Sequence, residues 1–368
     1  MDNKFNFNER PFLVIWETTH ACDLACVHCR AEASPDADPE ELTTWQGFKL
    51  IQDVKDMRTP ILIFSGGDPL KRKDLPQFIR FAKSKALRTG AIPAATALLT
   101  HEKIKLLKDS GLDQIAFSLD AASAAEHDAF RRVSGVFDRT LDSVQYANQI
   151  GLPVQINSLV NIHNTEKLDE LVGLVENLKI VFWEVFFLVP MGRGKELPLI
   201  SASKFDEAFE KIYGLSRRAN FIIKVTEAPH YRQFVHRKGG QQRKSGGLTP
   251  MTMPAELKRP VGPGGTIGHA PSGVNSGKGF LFVSYKGDVY PSGFLPIKVG
   301  SVKDQNLAAI YRESPVLREL RDPNLLKGKC GVCEYREICG GSRSRAWALT
   351  GDYLAEDSSC SYEPVLQS

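Results

Sequence analysis

At 368 residues, 42% hydrophobic and 24% charged, the chain has an ordinary globular composition and the length to bury a large core. It holds no apolar run of about eighteen residues and no signal-peptide core between Met1 and Asn8, which predicts a cytoplasmic protein without a membrane span. The net charge of +4 is scattered, and the basic blocks Lys71-Arg72-Lys73 and Arg237 to Lys244 read as solvated faces, so no nucleic-acid partner is expected.

Phe12 to Glu17 forms the first predicted strand, and Cys22-Asp23-Leu24-Ala25-Cys26-Val27-His28-Cys29 follows at its C-terminal lip. Glu40 to Thr44 opens a helix running to about Met57, with Leu50, Ile51 and Val54 at helical spacing. Ile61 to Phe64 is an apolar strand that ends in the turn Ser65-Gly66-Gly67-Asp68-Pro69. A helix over Asp74 to Ala86, an extended segment over Arg88 to Thr96, a helix over His101 to Lys108 and a strand over Gln114 to Asp120 follow. Helices at Phe137 to Gln149, Lys167 to Asn177 and Phe205 to Arg217 then alternate with strands at Val154 to Leu159, Val181 to Val189 and Phe221 to Thr226. Such alternation predicts a parallel sheet covered by helices. The expected fold is α/β, a partial (βα)6 TIM-like barrel with its chemistry at the C-terminal ends of the strands.

The alternation stops at Arg237. Residues 237–279 carry 11 glycines and 5 prolines, too long a stretch for a plain connection, and are expected to be either a lid or a disordered linker. Phe280 to Tyr290 then reads as a small hairpin, followed by short helices at Asn306 to Ile310 and Pro315 to Leu320 and a cysteine-rich tail. The expected domains are a barrel over 1–236, the insert over 237–279 and a small C-terminal domain over 280–368.

Seven cysteines fall into two sets: Cys22, Cys26 and Cys29, then Cys330, Cys333, Cys339 and Cys360. An odd number in a chain read as cytoplasmic argues against a disulfide framework, and thiolates suit iron–sulfur clusters or zinc. Three close thiols can hold a four-iron cubane and leave one iron open; a zinc site would recruit His20 or His28 as fourth ligand. The tail set supplies four thiolates to one site, for which zinc and iron–sulfur are equally suited. Gly66 and Gly67 let backbone approach a ligand closely and leave carbonyls free to accept from an ammonium. Arg193, in the loop after the sixth strand, and Arg232, after the last, present planar guanidinium groups suited to substrate carboxylates. Glu227 and His230 beside Arg232 are candidates for proton donation or metal ligation.

Cys-x3-Cys-x2-Cys after the first strand, with Gly66-Gly67-Asp68-Pro69 after the second, resembles the radical S-adenosylmethionine (radical SAM) enzymes. In that family three cysteines hold a [4Fe-4S] cluster whose open iron is chelated by SAM, and the glycine motif usually reads Gly-Gly-Glu-Pro. The resemblance implies SAM contacts from Gly66, Gly67, Asp68, Ser118, Asp120 and Asn157. It also implies reductive SAM cleavage to a 5'-deoxyadenosyl radical, with an electron donor such as flavodoxin or ferredoxin. The tail resembles the SPASM extension, which usually carries two auxiliary clusters. Cys330, Cys333, Cys339 and Cys360 match the outer one, whereas the inner positions carry Ser292 and Ser342. Two [4Fe-4S] clusters in all are therefore expected, one binding SAM and one auxiliary. Gly331 to Tyr362 looks most like the haem-forming branch, which alters side chains of iron tetrapyrroles, although that branch keeps a cysteine where Ser342 stands. The alternatives are a maturase of a ribosomally made peptide or a modifier of another small metabolite and, outside the class, a zinc-containing structural or binding protein.

Overall fold

A computed structural model describes residues 5–244 and 273–365. Most of the insert, and with it the lid-or-linker expectation, lies outside the described residues.

Strands β1 (Leu13–Glu17), β2 (Ile61–Ser65), β3 (Arg88–Ala91), β4 (Gln114–Ser118), β5 (Val154–Val160), β6 (Phe182–Phe187) and β7 (Ile222–Thr226) lie parallel in chain order. Helices α1 (Thr44–Asp56), α2 (Leu75–Ser84), α3 (His101–Asp109), α4 (Ala124–Arg131), α5 (Val136–Gln149), α6 (Leu168–Asn177) and α7 (Ala202–Ser216) connect them. The chain is thus the expected α/β partial barrel. Period-two alternation sorts the strand residues. Val14 and Trp16 of β1 are wholly buried under the helices, where the Trp16 ring meets Phe78 of α2 at 4.9 Å. Leu13 and Ile15 face the lumen with Ile61 and Ile63 of β2. Thr43 opens α1 with a capping box to Gln46, which fixes where the chain turns from loop to helix.

Helix α4 has no counterpart in the expected elements. It spans eight residues and buries only His127, Phe130 and Arg131, so its sequence carries little apolar periodicity. After α8 (His230–Lys244) and the undescribed segment, β8 (Phe280–Val283) and β9 (Asp288–Tyr290) make the expected hairpin. The first of these strands also pairs in parallel with the free side of β1, Leu13 opposite Phe280 and Trp16 opposite Val283. A run apolar at every position suits a strand covered on both faces. With β10 (Gly300–Ser301), the sheet has ten strands in the order β10-β9-β8-β1-β2-β3-β4-β5-β6-β7. Helices α9 (Leu307–Glu313), α10 (Pro315–Arg321), α11 (Gly328–Val332) and α12 (Arg343–Thr350) complete the tail. Among the described residues no helix is long and apolar enough to cross a membrane.

Candidate active site

The cysteine loop leaves β1 and folds over the C-terminal ends of the strands. All seven cysteines are free thiols, and Cys22, Cys26 and Cys29 line one cavity with Gly66, Gly67, Ser118, Asp120, Asn157 and Ser158. Backbone holds this loop closely. A Cβ on Gly67 would stand 2.4 Å from the Ala21 carbonyl oxygen and 2.6 Å from that of His20. Gly67→Ala is therefore expected to displace the loop at a cost of about 1–3 kcal/mol. Reduced iron retention and a lowered melting temperature would show it; wild-type values for both would contradict the close packing.

Arginines brace the loop from below. Arg131 donates to the Cys26 sulfur at 3.7 Å and forms a buried ion pair with Asp120. Asp120 also accepts from the Leu159 amide at 2.8 Å. Arg131 holds the Asp120 carboxyl below its usual range against the opposing effect of burial. Arg193 donates from Nε to the Cys26 carbonyl at 2.9 Å and from Nη1 towards that of Ala33 at 3.4 Å. Gly192, at φ +52°, brings its backbone against the Cys29 and Arg30 carbonyls. Arg193 is thus bound to the cysteine loop and lines neither barrel cavity, unlike the carboxylate-facing position expected from its residue type. His28 is half-buried and stacks on Phe130 with centroids 4.7 Å apart; desolvation of its ring lowers its pKa to about 4, so it is neutral at pH 7.

Of the expected SAM-contacting residues, Gly66, Gly67, Ser118, Asp120 and Asn157 line the cysteine cavity. Asp68 does not. Its carboxylate accepts from Thr96 Oγ1 at 2.7 Å and the Leu70 amide at 3.1 Å, tying the glycine turn to the loop after β3. Three thiols around a cavity walled by glycine backbone fit an iron–sulfur cluster with one open iron. Among the described residues no group of His, Cys, Asp or Glu is gathered to hold a single metal ion. Burial pushes the Cys22 thiol up to about 12, so the thiol would keep its proton until a cationic metal centre binds the sulfur and the proton is released to solvent.

A second, mainly apolar cavity fills the lumen and shares Ile92, Phe186 and Phe294 with the first. A polar chain crosses its wall. Gln114 donates to Gln155 at 2.6 Å, and Gln155 donates to Asn157 at 2.7 Å and Glu184 at 3.0 Å. Glu184 also accepts from Lys224 at 2.7 Å and Thr226 at 2.6 Å. This chain escaped the residue-by-residue reading, yet its signal was available: polar residues at every second position of otherwise apolar strands. Arg232 and Glu227 line the same cavity. The Arg232 guanidinium donates to the carbonyls of Ile338 at 3.0 Å and Val274 at 2.6 Å, with no carboxylate partner among the described residues.

Cys330, Cys333, Cys339 and Cys360 line a third cavity beside His230. Amide groups point at their sulfurs: Asp357 to Cys330 at 3.5 Å, Tyr335 to Cys333 at 3.4 Å and Gly341 to Cys339 at 3.4 Å. His230 is enclosed by Phe205 and Phe209, 3.8 Å from Asp357, and burial lowers its pKa to about 4. It reaches neither barrel cavity, in contrast to Glu227 and Arg232.

The Radical SAM superfamily pattern matches residues 16–178. Over 359 residues the chain is 36% identical to the AdoMet-dependent heme synthase of Methanosarcina barkeri, covering 96% of this chain and 97% of that protein. The AdoMet-dependent heme synthase of Nitratidesulfovibrio vulgaris is 36% identical over 354 residues, covering 96% and 92% of the two chains. Among solved structures, Streptococcus suis SuiB shares the fold at a TM-score of 0.70 and 16% identity, over 96% of this chain and 78% of that one.

Proposed function

Because the chain belongs to the radical SAM superfamily and has a SPASM-like C-terminal region, we propose that its 5'-deoxyadenosyl radical acts on a carboxylate-bearing side chain of an iron tetrapyrrole. The observation that carries the substrate class is the likeness to AdoMet-dependent heme synthases along nearly the whole of both chains. The bound [4Fe-4S] cluster supplies the electron that cleaves SAM. Cys22, Cys26 and Cys29 would hold it, and Gly66, Gly67, Ser118, Asp120 and Asn157 would contact SAM in the adjoining space. Asp68 would act one step removed, by fixing the glycine turn. The mainly apolar lumen would shield the radical from water and offer the substrate an apolar surface. Arg232 would receive a substrate carboxylate, since a guanidinium partnered only by carbonyls keeps its charge available.

The tail thiols would hold one closed auxiliary [4Fe-4S] cluster, a reading supported by four cysteines around one cavity and the amides directed at their sulfurs. A flavodoxin- or ferredoxin-like donor would supply electrons, and a reducing compartment such as the cytoplasm suits seven free thiols. A second auxiliary cluster does not fit. Ser292 and Ser342 stand where its thiolates would be needed, and both bond to Glu227.

An anaerobic titration with iron-coproporphyrin III, followed by mass analysis after adding SAM and reductant, tests the substrate class. Saturable binding and stepwise loss of carbon dioxide are expected; SAM cleavage without tetrapyrrole binding would redirect the assignment to a peptide or another metabolite. Arg232→Ala is expected to weaken tetrapyrrole binding about ten- to a hundredfold, the worth of a charged hydrogen-bonded contact. Unchanged affinity would remove Arg232 from the substrate site.

A further inference from the structure

We propose that Glu227 is the seat of a substrate carboxyl group, the two carboxyls sharing one proton in the wall of the lumen cavity. The inference rests on the acidic substrate class proposed above and adds to it a site, a protonation state and a pH dependence.

The two serines at the expected cluster-ligand positions converge on one acid. Ser342 Oγ donates to Glu227 Oε2 at 2.5 Å, while Ser344 and Ser292 approach Oε1 at 3.1 and 3.5 Å. Each of the two outer hydroxyls is oriented by the main chain, Ser342 accepting from the Arg345 amide and Ser292 from the Phe294 amide. Glu227 and Ser292 both line the lumen cavity, and Phe294, two residues on, belongs to the neck shared with the cysteine cavity.

The backbone is committed to this placement. Glu227 has φ +58°, a left-handed conformation that costs a non-glycine residue of order 1–3 kcal/mol and persists only where surroundings over-determine it. The Arg345 guanidinium supplies that constraint by donating to the Glu227 carbonyl.

The surrounding charges leave the carboxyl itself without a cation. Arg345 pairs with Asp357 at 3.2 Å, and His230, on the helix after Glu227, lies by the same aspartate. Across the lumen Lys224 pairs with Glu184. Among the described residues Arg232 is the remaining cation facing the cavity, and it donates to carbonyls. Among the described residues no salt bridge reaches Glu227. Burial raises its pKa above the usual carboxylate range, with Asp357 adding to the rise and Arg345 opposing it. A second carboxyl entering this dry space cannot ionise alongside the first, so the pair retains one proton.

The test is anaerobic binding of iron-coproporphyrin III to the cluster-loaded protein across pH 7 to 9, for wild type and Glu227→Gln. Wild-type affinity should fall with rising pH, approaching tenfold per unit as the retained proton must be taken from solvent. Glu227→Gln donates a hydrogen bond without a titrating proton and should show a flat profile. Calorimetry of the wild type in two buffers of different ionisation enthalpy should register proton uptake approaching one per site at the upper end. That measurement stands even if the variant fails to fold. Wild-type binding that is tight, pH-independent and free of proton uptake would overturn this site while leaving the substrate class intact, as would an unchanged slope in Glu227→Gln. Absence of any tetrapyrrole binding would overturn the substrate class and this site together.

Discussion

Replacing Cys22, Cys26 and Cys29 together by serine is expected to abolish SAM cleavage, with 5'-deoxyadenosine falling to background. Iron should fall from about eight to about four per chain, one four-iron cluster of two. The three thiols line the one cavity that also holds the glycine turn and the polar ends of β4 and β5. Serine keeps the shape but offers a hydroxyl, a hard and weakly acidic ligand for iron. The converse set, Cys330, Cys333, Cys339 and Cys360, should also remove about four irons per chain. Surviving cleavage in the first variant would sink the cluster assignment; about twelve irons in the wild type would contradict a single auxiliary cluster.

Asp357→Ala is expected to destabilise the protein by about 3–5 kcal/mol, because it leaves Arg345 buried without its counter-ion. Both partners are wholly buried, 3.2 Å apart, and Asp357 also accepts from the Ser342 amide at 2.8 Å. Arg345 in turn donates to the Glu227 carbonyl, so one aspartate connects the cysteine tail to the end of β7. Despite burial, Arg345 and its neighbours hold the Asp357 carboxyl at about 2. A depressed folded-state pKa contributes stability that is complete above the ordinary aspartate value of about 4. The contribution is lost as pH falls from about 4 to about 2. Thermal melts of wild type and variant should therefore differ by the full amount near neutrality, and the gap should narrow in that acid window. A variant that melts with the wild type at neutral pH would show that the pair contributes nothing net.

The barrel was legible because its strands are continuous apolar runs separated by helical periodicity, as in Ile61 to Phe64 and Leu50, Ile51 and Val54. The cysteine spacings marked both thiol sets, and the resemblance to the SPASM pattern marked Ser292 and Ser342 as serines where thiols would be expected. What escaped depends on contacts between distant segments. Arg131 is an ordinary residue at the end of an unremarked short helix until folding sets it 3.7 Å from the Cys26 sulfur. Arg193 has the residue type of a carboxylate fork, yet the acceptors that folding brings to it are main-chain carbonyls of the cysteine loop. The Gln155–Glu184–Lys224 chain was signalled by polar residues within each strand, but its partners follow only from the cross-strand register.

The pairing of β1 with β8 has a consequence for how the protein is made. The strand that carries the cysteine loop leaves the ribosome long before its outer partner, which begins at Phe280. Until β8 is synthesised, one edge of β1 stays unpaired, and edges of this kind recruit other chains. Such a long-range pairing also makes for slow closure, because the loop entropy is lost before the contacts form. Maturation of the SAM-cluster loop is thereby tied to the arrival of the C-terminal region. A nascent chain halted before β8 should aggregate and take up iron poorly, even with Cys22, Cys26 and Cys29 all present.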